Sequence, residues 1–433
     1  MDIKITKVKK VLGDIRVPSD KSISHRSVIL TSMAKGTSTV KNILKAGDTL
    51  TTISVFKSLG VGIEEKGEVI EIKGVNLFGY KEPEDILDMG NSGTTTRLTL
   101  GLLSGQDFFS ALTGDSSLRK RPMGRVVNPL REMGAEIDGR KEGELLPLSV
   151  RGKRLTGIEF FNKKSSAQVK SALLIAGLLS EGKTTVVEKV KSRDHTEKML
   201  SAMGADIQIE EKTDLYQVSI KGKKELKPVD IDVPADPSSA AFFAAAASIV
   251  PDSEVLLKDV LINPTRDGFF RKLMEMGAEV EYLKEREKVG EKVADILVKY
   301  SPDMKGINIS KEDIPSMVDE VPLLALVATQ AEGETVITGA EELRVKESDR
   351  IKAVVENLRN IGVEIEELED GMVIKGKQKI KGGIVDSFND HRIAMGFAIL
   401  GLISEEGITI KNADCVFISY PNFFEDLEKL IRR

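Results

Sequence analysis

Five times along this chain an amphipathic stretch runs into a glycine and then into an alternating segment. No other feature limits the possible folds as much. The copies are Phe56-Lys57-Ser58-Leu59-Gly60-Val61, Leu130-Arg131-Glu132-Met133-Gly134-Ala135, Leu200-Ser201-Ala202-Met203-Gly204-Ala205, Leu273-Met274-Glu275-Met276-Gly277-Ala278 and Leu358-Arg359-Asn360-Ile361-Gly362-Val363. In each, the glycine stands where a helix end needs a left-handed residue, and alternation such as Ala135-Glu136-Ile137 continues as a strand. A second phrase is an apolar helix followed, in most copies, by glycine and a β-branched strand. It begins near Val28, Leu98, Ala172, Phe242, Leu323 and Ala394. The spacing of about 70 to 80 residues exceeds that of solenoid repeats, so six compact βαβ-containing units are predicted. Each unit pairs a helix that is apolar all round, hence buried, with an amphipathic one that covers the outside.

A chain of 433 residues is too long for one ordinary core, and three units per domain are expected. The last unit ends on a helix from Glu425 to Arg433 with no strand after it, whereas Ile3 to Val8 supply a strand with no helix before it. The N-terminal strand is therefore expected to complete the last unit. The first domain is then discontinuous, 1–13 with 236–433, and the second covers 14–235. Hinge connections fall near 13–18 and 233–237, the latter rich in the turn formers Pro234, Asp236 and Pro237. A cleft between the domains is the expected ligand site.

Composition narrows the function. Apolar runs such as Ala240 to Val250 fall short of a membrane span, and the alternating N-terminus lacks the apolar core of a signal peptide. The single cysteine, Cys415, fits a reducing cytoplasm, and a net charge of −5 argues against a nucleic-acid partner. Gly177-Leu178-Leu179-Ser180-Glu181-Gly182-Lys183-Thr184 matches a phosphate-loop pattern in letters, but a buried helix precedes it and Thr185-Val186-Val187 reads as strand, the reverse of what that loop requires. Neither metal-ligand spacing nor a dinucleotide fingerprint is found, so no metal and no cofactor are expected.

Polar residues gather just before the buried helices. The stretch Met89-Gly90-Asn91-Ser92-Gly93-Thr94-Thr95-Thr96-Arg97 opens one of them with small side chains, leaving backbone N–H groups and the positive dipole end open to an anion. Comparable loops are Ser19 to Arg26, Ser165 to Lys170, Asp236 to Ser239, Met317 to Glu320 and Phe388 to Arg392. The three histidines, His25, His195 and His391, all fall in polar clusters. Within Arg119-Lys120-Arg121, Arg119 and Lys120 read mostly as a solvated run. In Arg344 to Arg350, Lys346 and Arg350 sit at a helix N-terminus, the wrong end for cations, and require a compensating anion. Arginines concentrated in a cleft of an acidic protein suit a multiply anionic small substrate.

Together these loops resemble those of the 5-enolpyruvylshikimate-3-phosphate synthase family, class II-like. The matching pieces are Ser19-Asp20-Lys21-Ser22-Ile23-Ser24-His25-Arg26, Gly90-Asn91-Ser92-Gly93-Thr94, Arg121-Pro122-Met123, Ser165-Ser166-Ala167-Gln168, Arg344 to Arg350 and Asp390-His391-Arg392. The resemblance implies a two-domain α/β enolpyruvyl transferase-like fold with three repeats per domain, closing over its ligands. It implies transfer of the enolpyruvyl group of phosphoenolpyruvate to the 5-hydroxyl of shikimate 3-phosphate, with release of phosphate, by a cytoplasmic monomer of aromatic amino-acid biosynthesis. By residue-wise carry-over, Lys21, Ser22, Arg26, Ser165, Ser166, Gln168, Arg193, Asp319 and Lys346 would bind shikimate 3-phosphate. Lys21, Asn91, Gly93, Thr94, Arg121, Gln168, Arg350, His391 and Arg392 would bind phosphoenolpyruvate. Asp319 resembles the base-side carboxylate, and Lys21 and Glu347 the groups that trade protons with the enolpyruvyl moiety. Arginine forks suit both carboxylates and phosphates.

Departures from the better-known pattern are Ala167 in place of a second serine, no tyrosine near His195, Glu342 in place of asparagine, and Ile418 in place of lysine. The small Gly93 is expected to leave room for an inhibitor such as glyphosate. The rival reading is a UDP-N-acetylglucosamine enolpyruvyl transferase. That family typically carries a reactive cysteine, or an aspartate, in the loop matching Arg119 to Arg125, and neither stands here among Arg119 to Met123.

Overall fold

The computed structural model describes residues 1–213 and 215–432 and groups them into two compact units. A central unit comprises Ser19–Val233 with the short segment Lys288–Glu291. A terminal unit comprises Met1–Pro18, Pro234–Glu287 and Lys292–Arg433. Residues 14–18, expected with the second domain, group instead with the termini. The strand Lys10–Ile15 runs parallel to Glu254–Leu261, pairing Glu254 with Leu12 and Leu257 with Ile15.

The central unit contains α1 (Lys21–Ser32), α2 (Gly47–Ser58), α3 (Gly93–Leu103), α4 (Gly124–Glu132), α5 (Ala167–Leu179) and α6 (His195–Ala202). The terminal unit repeats the alternation with α7 (Pro237–Ile249), α8 (Gly268–Glu275), α9 (Val321–Ala328), α10 (Arg350–Asn360), α11 (His391–Gly401) and α12 (Phe423–Leu430). Odd-numbered helices are buried along most or all of their length, and even-numbered ones bury one face, which in α6 and α10 includes Glu197 and Arg350. In each of the five glycine phrases the glycine has positive φ, between 81° and 103°. The residue after it donates its amide five residues back, as Val61 does to Phe56, Ala135 to Leu130 and Val363 to Leu358. This is the Schellman closure, which satisfies helix carbonyls that would otherwise lack partners.

Among the described residues, six small sheets share one grammar. In the central unit the strand orders are Ile231–Asp232, Lys35–Lys41, Val69–Val75, Gly62–Lys66; then Leu87–Asp88, Phe109–Thr113, Leu145–Arg151, Glu136–Arg140; then Glu159–Phe161, Lys183–Glu188, Leu215–Lys221, Asp206–Lys212. In each the first pair is parallel and the others antiparallel. The terminal unit keeps the pattern but borrows strands from the N-terminus. Ile3–Ile5 pairs antiparallel with Ile408–Lys411, completing the last sheet. The expected strand to Val8 stops at Ile5, and a second strand, Lys10–Ile15, follows. The C-terminal helix, expected to run to Arg433, ends at Leu430. Ile431–Arg432 then pairs with the open edge at Lys10 and Val11, satisfying backbone groups that an edge leaves exposed. Arg433 lies outside the described residues. The phosphate-loop lookalike has α5 before it and the strand Lys183–Glu188 after it. Among the described residues no helix is long and apolar enough to cross a membrane.

Candidate active site

In the central unit, small residues set the geometry. A Cβ on Gly101 would lie 2.3 Å from the Ala172 carbonyl, so the backbones of α3 and α5 touch. That approach brings their N-termini together. Gln168 donates through Nε2 to Thr94 Oγ1 at 2.9 Å and accepts through Oε1 from Arg97 Nη1 at 2.5 Å. Gly101→Ala should cost about 1–3 kcal/mol by overpacking and also weaken kcat/KM by displacing Gln168. Gly204→Ala, whose Cβ would meet nothing within 4 Å, should cost about 1–2 kcal/mol of left-handed strain and leave kcat/KM unchanged. Equal activity in the two variants would disprove that linkage.

Ser92 caps α3, its hydroxyl accepting from the Thr95 amide at 3.1 Å. Beside that N-terminus stand two guanidiniums. A Cβ on Gly93 would meet Arg97 Nη1 at 2.9 Å and Arg121 Nη1 at 3.8 Å. Arg97 is anchored to the Pro122 carbonyl at 3.0 Å, and Arg121 donates to Asn91 Oδ1 at 2.8 Å. Asn91 in turn donates to Asp115 at 2.6 Å. The structure thus assembles Asn91, Gly93, Thr94, Arg121 and Gln168, all expected on the phosphoenolpyruvate side. It adds Arg97, which the carry-over omitted. The signal was its position one helical turn after Gly93, on the same face. Arg119 and Lys120 are exposed, as a solvated run should be.

Asp20 caps α1 through the Ile23 amide at 2.7 Å, placing Lys21 and Ser22 in the first turn. Lys21 Nζ lies 3.4 Å from Asp48. Arg26 is buried and spread across three donors' partners: Thr196 Oγ1 at 2.7 Å, Ser171 Oγ at 2.8 Å and the Ser22 carbonyl at 3.0 Å. His25 belongs to the framework, its Nδ1 2.7 Å from Thr52 Oγ1, which lies 2.7 Å from Thr95 Oγ1. Burial pushes its imidazole down to about 3, so it stays neutral. At α5 the cap residue Ser166 makes no side-chain cap bond. Ser165, Ser166, Ala167 and Gln168 are all half-buried there, as is Arg193 ahead of α6.

His195 Nδ1 lies 2.7 Å from Glu291 Oε1, and Asp194, His195 and Glu291 offer ligand atoms within 4.8 Å of one another. Lys198 already serves the carboxylates, 2.9 Å from Glu291 and 3.4 Å from Asp194. Sequence spacing could not show this group, because Glu291 is remote in the chain.

In the terminal unit, the residues before and within α9, α10 and α11 converge on Arg350, which is 1% exposed. Its guanidinium donates to Asp390 at 2.8 Å, Glu347 at 2.7 Å and Asp319 at 3.2 Å. Burial alone would lower its pKa, but Asp390, Glu347 and Asp319 outweigh that and hold it above its ordinary value. Arg392 lies 3.2 Å from Glu320 and 3.9 Å from Asp319. Burial pushes the Glu320 carboxyl up, against the pull of Arg392. His391 is buried at the start of α11. The cation run does not open a helix at Arg344. A 3-10 turn covers Glu341–Val345, and α10 starts at Arg350 under an Asp349 cap. The anion that Arg350 required is supplied by the protein's own carboxylates. Arg344 is taken up by Asp349 and Glu367 at 2.9 and 3.0 Å. Lys346 pairs with Glu342 at 3.0 Å, so the departure at that position provides its counter-ion. Ile418 is an exposed apolar side chain closing the 3-10 turn Ala413–Ile418.

Comparison with known proteins agrees along the whole chain. The family model for EPSP synthase (3-phosphoshikimate 1-carboxyvinyltransferase) matches residues 5–427. A 3-phosphoshikimate 1-carboxyvinyltransferase from Persephonella marina is 74% identical over 431 residues, covering 100% of both chains. Among solved structures, EPSP synthase from Acinetobacter baumannii superposes with a TM-score of 0.89 at 43% identity, covering 99% of this chain and 98% of that one. The enolpyruvyl transferase NikO from Streptomyces tendae, 17% identical, shares the fold with a TM-score of 0.76 over 99% of this chain and 96% of that one.

Proposed function

The chain belongs to the EPSP synthase family, and from that premise we propose that it transfers the enolpyruvyl group of phosphoenolpyruvate to the 5-hydroxyl of shikimate 3-phosphate. The observation that carries the reading is the pair of guanidiniums, Arg97 and Arg121, flanking side-chain-free Gly93 at a helix N-terminus. A compact dianion needs several charge-assisted donors and no obstructing Cβ.

The chemistry adds the hydroxyl oxygen to C2 of phosphoenolpyruvate while a proton goes to C3. The tetrahedral adduct then loses a methyl proton and inorganic phosphate. Asp319 takes the hydroxyl proton, and Lys21 and Glu347 exchange the proton at carbon. Ser22 and Arg26 bind the shikimate carboxylate; Ser165, Ser166, Gln168, Arg193 and Lys346 bind its phosphate. Arg121, Arg350, His391 and Arg392, with Asn91, Gly93 and Thr94, hold phosphoenolpyruvate. Catalysis in this reading needs both sets of residues on one reactant pair, through closure about the connections where the units change over, Pro18–Ser19 and Val233–Pro234. Water excluded on closure strengthens each charge interaction. The same reading places the enzyme in the cytoplasm, as a monomer.

The test is phosphate release from phosphoenolpyruvate with shikimate 3-phosphate, against UDP-N-acetylglucosamine as control. Release with the control alone would refute it. Gly93→Ala pushes the Arg97 guanidinium aside, and the KM for phosphoenolpyruvate should rise about tenfold, the order expected for a misplaced contact. Glyphosate should inhibit the unsubstituted enzyme competitively with phosphoenolpyruvate; a non-competitive pattern would count against shared occupancy.

A further inference from the structure

Behind Ser165, Ser166 and Arg193 lies an ion cluster sealed from solvent. Lys170, Glu188 and Glu197 have side chains that are 0% exposed, and Lys170 Nζ stands 3.0 Å from Glu188 and 2.8 Å from Glu197. Sealed charges of this kind are costly to bury and are weak grounds for stability in themselves. What they hold is informative. Glu188 accepts from Asn162 Nδ2 at 2.7 Å, from the Ser192 amide at 3.1 Å and from the Ser192 hydroxyl at 2.8 Å. Lys170 donates to the Ser192 carbonyl at 3.2 Å, so amide, hydroxyl and carbonyl of Ser192 are all tied to the cluster. Asn162 donates to the Ser166 carbonyl at 3.0 Å and accepts from the Ser166 amide at 3.3 Å. Tyr216 closes the cluster, its ring centroid 4.9 Å from Lys170 Nζ.

One carboxylate thereby fixes two loops at once. One loop ends in Ser165 and Ser166, the other in Ser192 followed by Arg193. We infer that Glu188, with Lys170, is a positioning residue for the phosphate of shikimate 3-phosphate: it sets the distance between the serine loop and the arginine that grip that group. The inference rests on the proposed reaction. Phosphate is recognised by several donors placed in advance, and a shift of about 1 Å in one of them can cost up to about 100-fold. The two carboxylates outweigh the burial that would otherwise lower the Lys170 ammonium and hold it above its ordinary value, while burial pushes the Glu197 carboxyl up against the pull of Lys170.

The experiment is steady-state kinetics of the full chain. Glu188→Gln keeps the shape but removes the charge that grips Lys170 and Ser192. KM for shikimate 3-phosphate should rise about tenfold or more, with KM for phosphoenolpyruvate within about twofold. A purely structural defect would lower active concentration and leave both KM values where they were. Ser192→Ala leaves the ion pair intact, serves if Glu188→Gln is insoluble, and should raise the same KM about threefold. An unchanged KM for shikimate 3-phosphate in the soluble variant overturns the positioning role while the unsubstituted enzyme turns over. An unsubstituted enzyme that releases no phosphate from this substrate pair overturns the reaction and the positioning role together.

Discussion

Asp319→Asn should lower kcat by about 10²- to 10⁴-fold, the range for loss of a positioned general base, with KM for either substrate moving less than about threefold. The substitution suits the site because asparagine keeps the size and one acceptor oxygen. Asp319 accepts from Arg350 at 3.2 Å, and Arg350 keeps Asp390 and Glu347 in the variant, so the cluster survives. Loss confined to kcat is the signature of a group acting mainly in the transition state. A variant that binds both ligands and turns over at the original rate would remove Asp319 from the chemistry. It would then be one of three counter-ions for a buried arginine.

The fold was legible because its boundaries are written locally. A left-handed glycine after an amphipathic stretch is needed at Gly60, Gly134, Gly204, Gly277 and Gly362, and each demand can be read within six residues. The lone N-terminal strand could be matched to the strandless last unit by the same counting. What escaped was settled by pairing over distance. Ile431–Arg432 becomes a strand only because Lys10 and Val11 present an open edge. Residues 14–18 group with the termini because Glu254–Leu257 runs alongside Leu12–Ile15. The residues proposed for the site stand in clusters before buried helices that can be read locally, but their partners cannot. Lys170 sits within an apolar helix, and nothing near it in sequence announces Glu188 or Glu197. Arg97 lies inside the glycine-rich stretch that opens α3, yet its place depends on Gly101 and Ala172 letting two helices meet. The surplus cation at Arg350 was visible, and its compensation by Asp390, 40 residues on, was not.

Asp390→Ala should destabilise the terminal unit by about 3–5 kcal/mol, the cost of stripping a partner from a buried ion pair. Asp390 is fully buried. It accepts twice from Arg350, at 2.8 and 3.4 Å, once from the Ser348 hydroxyl at 3.1 Å, and caps α11 through the Arg392 amide at 2.9 Å. Removing it leaves the 1% exposed Arg350 cation with fewer counter-charges and frees the helix that carries Arg392. Burial works to raise the Asp390 carboxyl, but Arg350 beside it holds it below its ordinary value. A depressed carboxyl contributes stability that is fully present above its unfolded-state pKa of about 3.9 and is lost as pH falls through the lower folded value. Urea unfolding of the unsubstituted chain and of Asp390→Ala should therefore differ most near neutral pH, and the two midpoints should draw together as pH falls below about 4. A gap that stays constant down to pH ~2 would mean that Asp390 contributes through packing and capping alone. Arg350 would then owe its place to Glu347 and Asp319, the two carboxylates proposed for proton transfer, and phosphoenolpyruvate would have to displace them in order to bind.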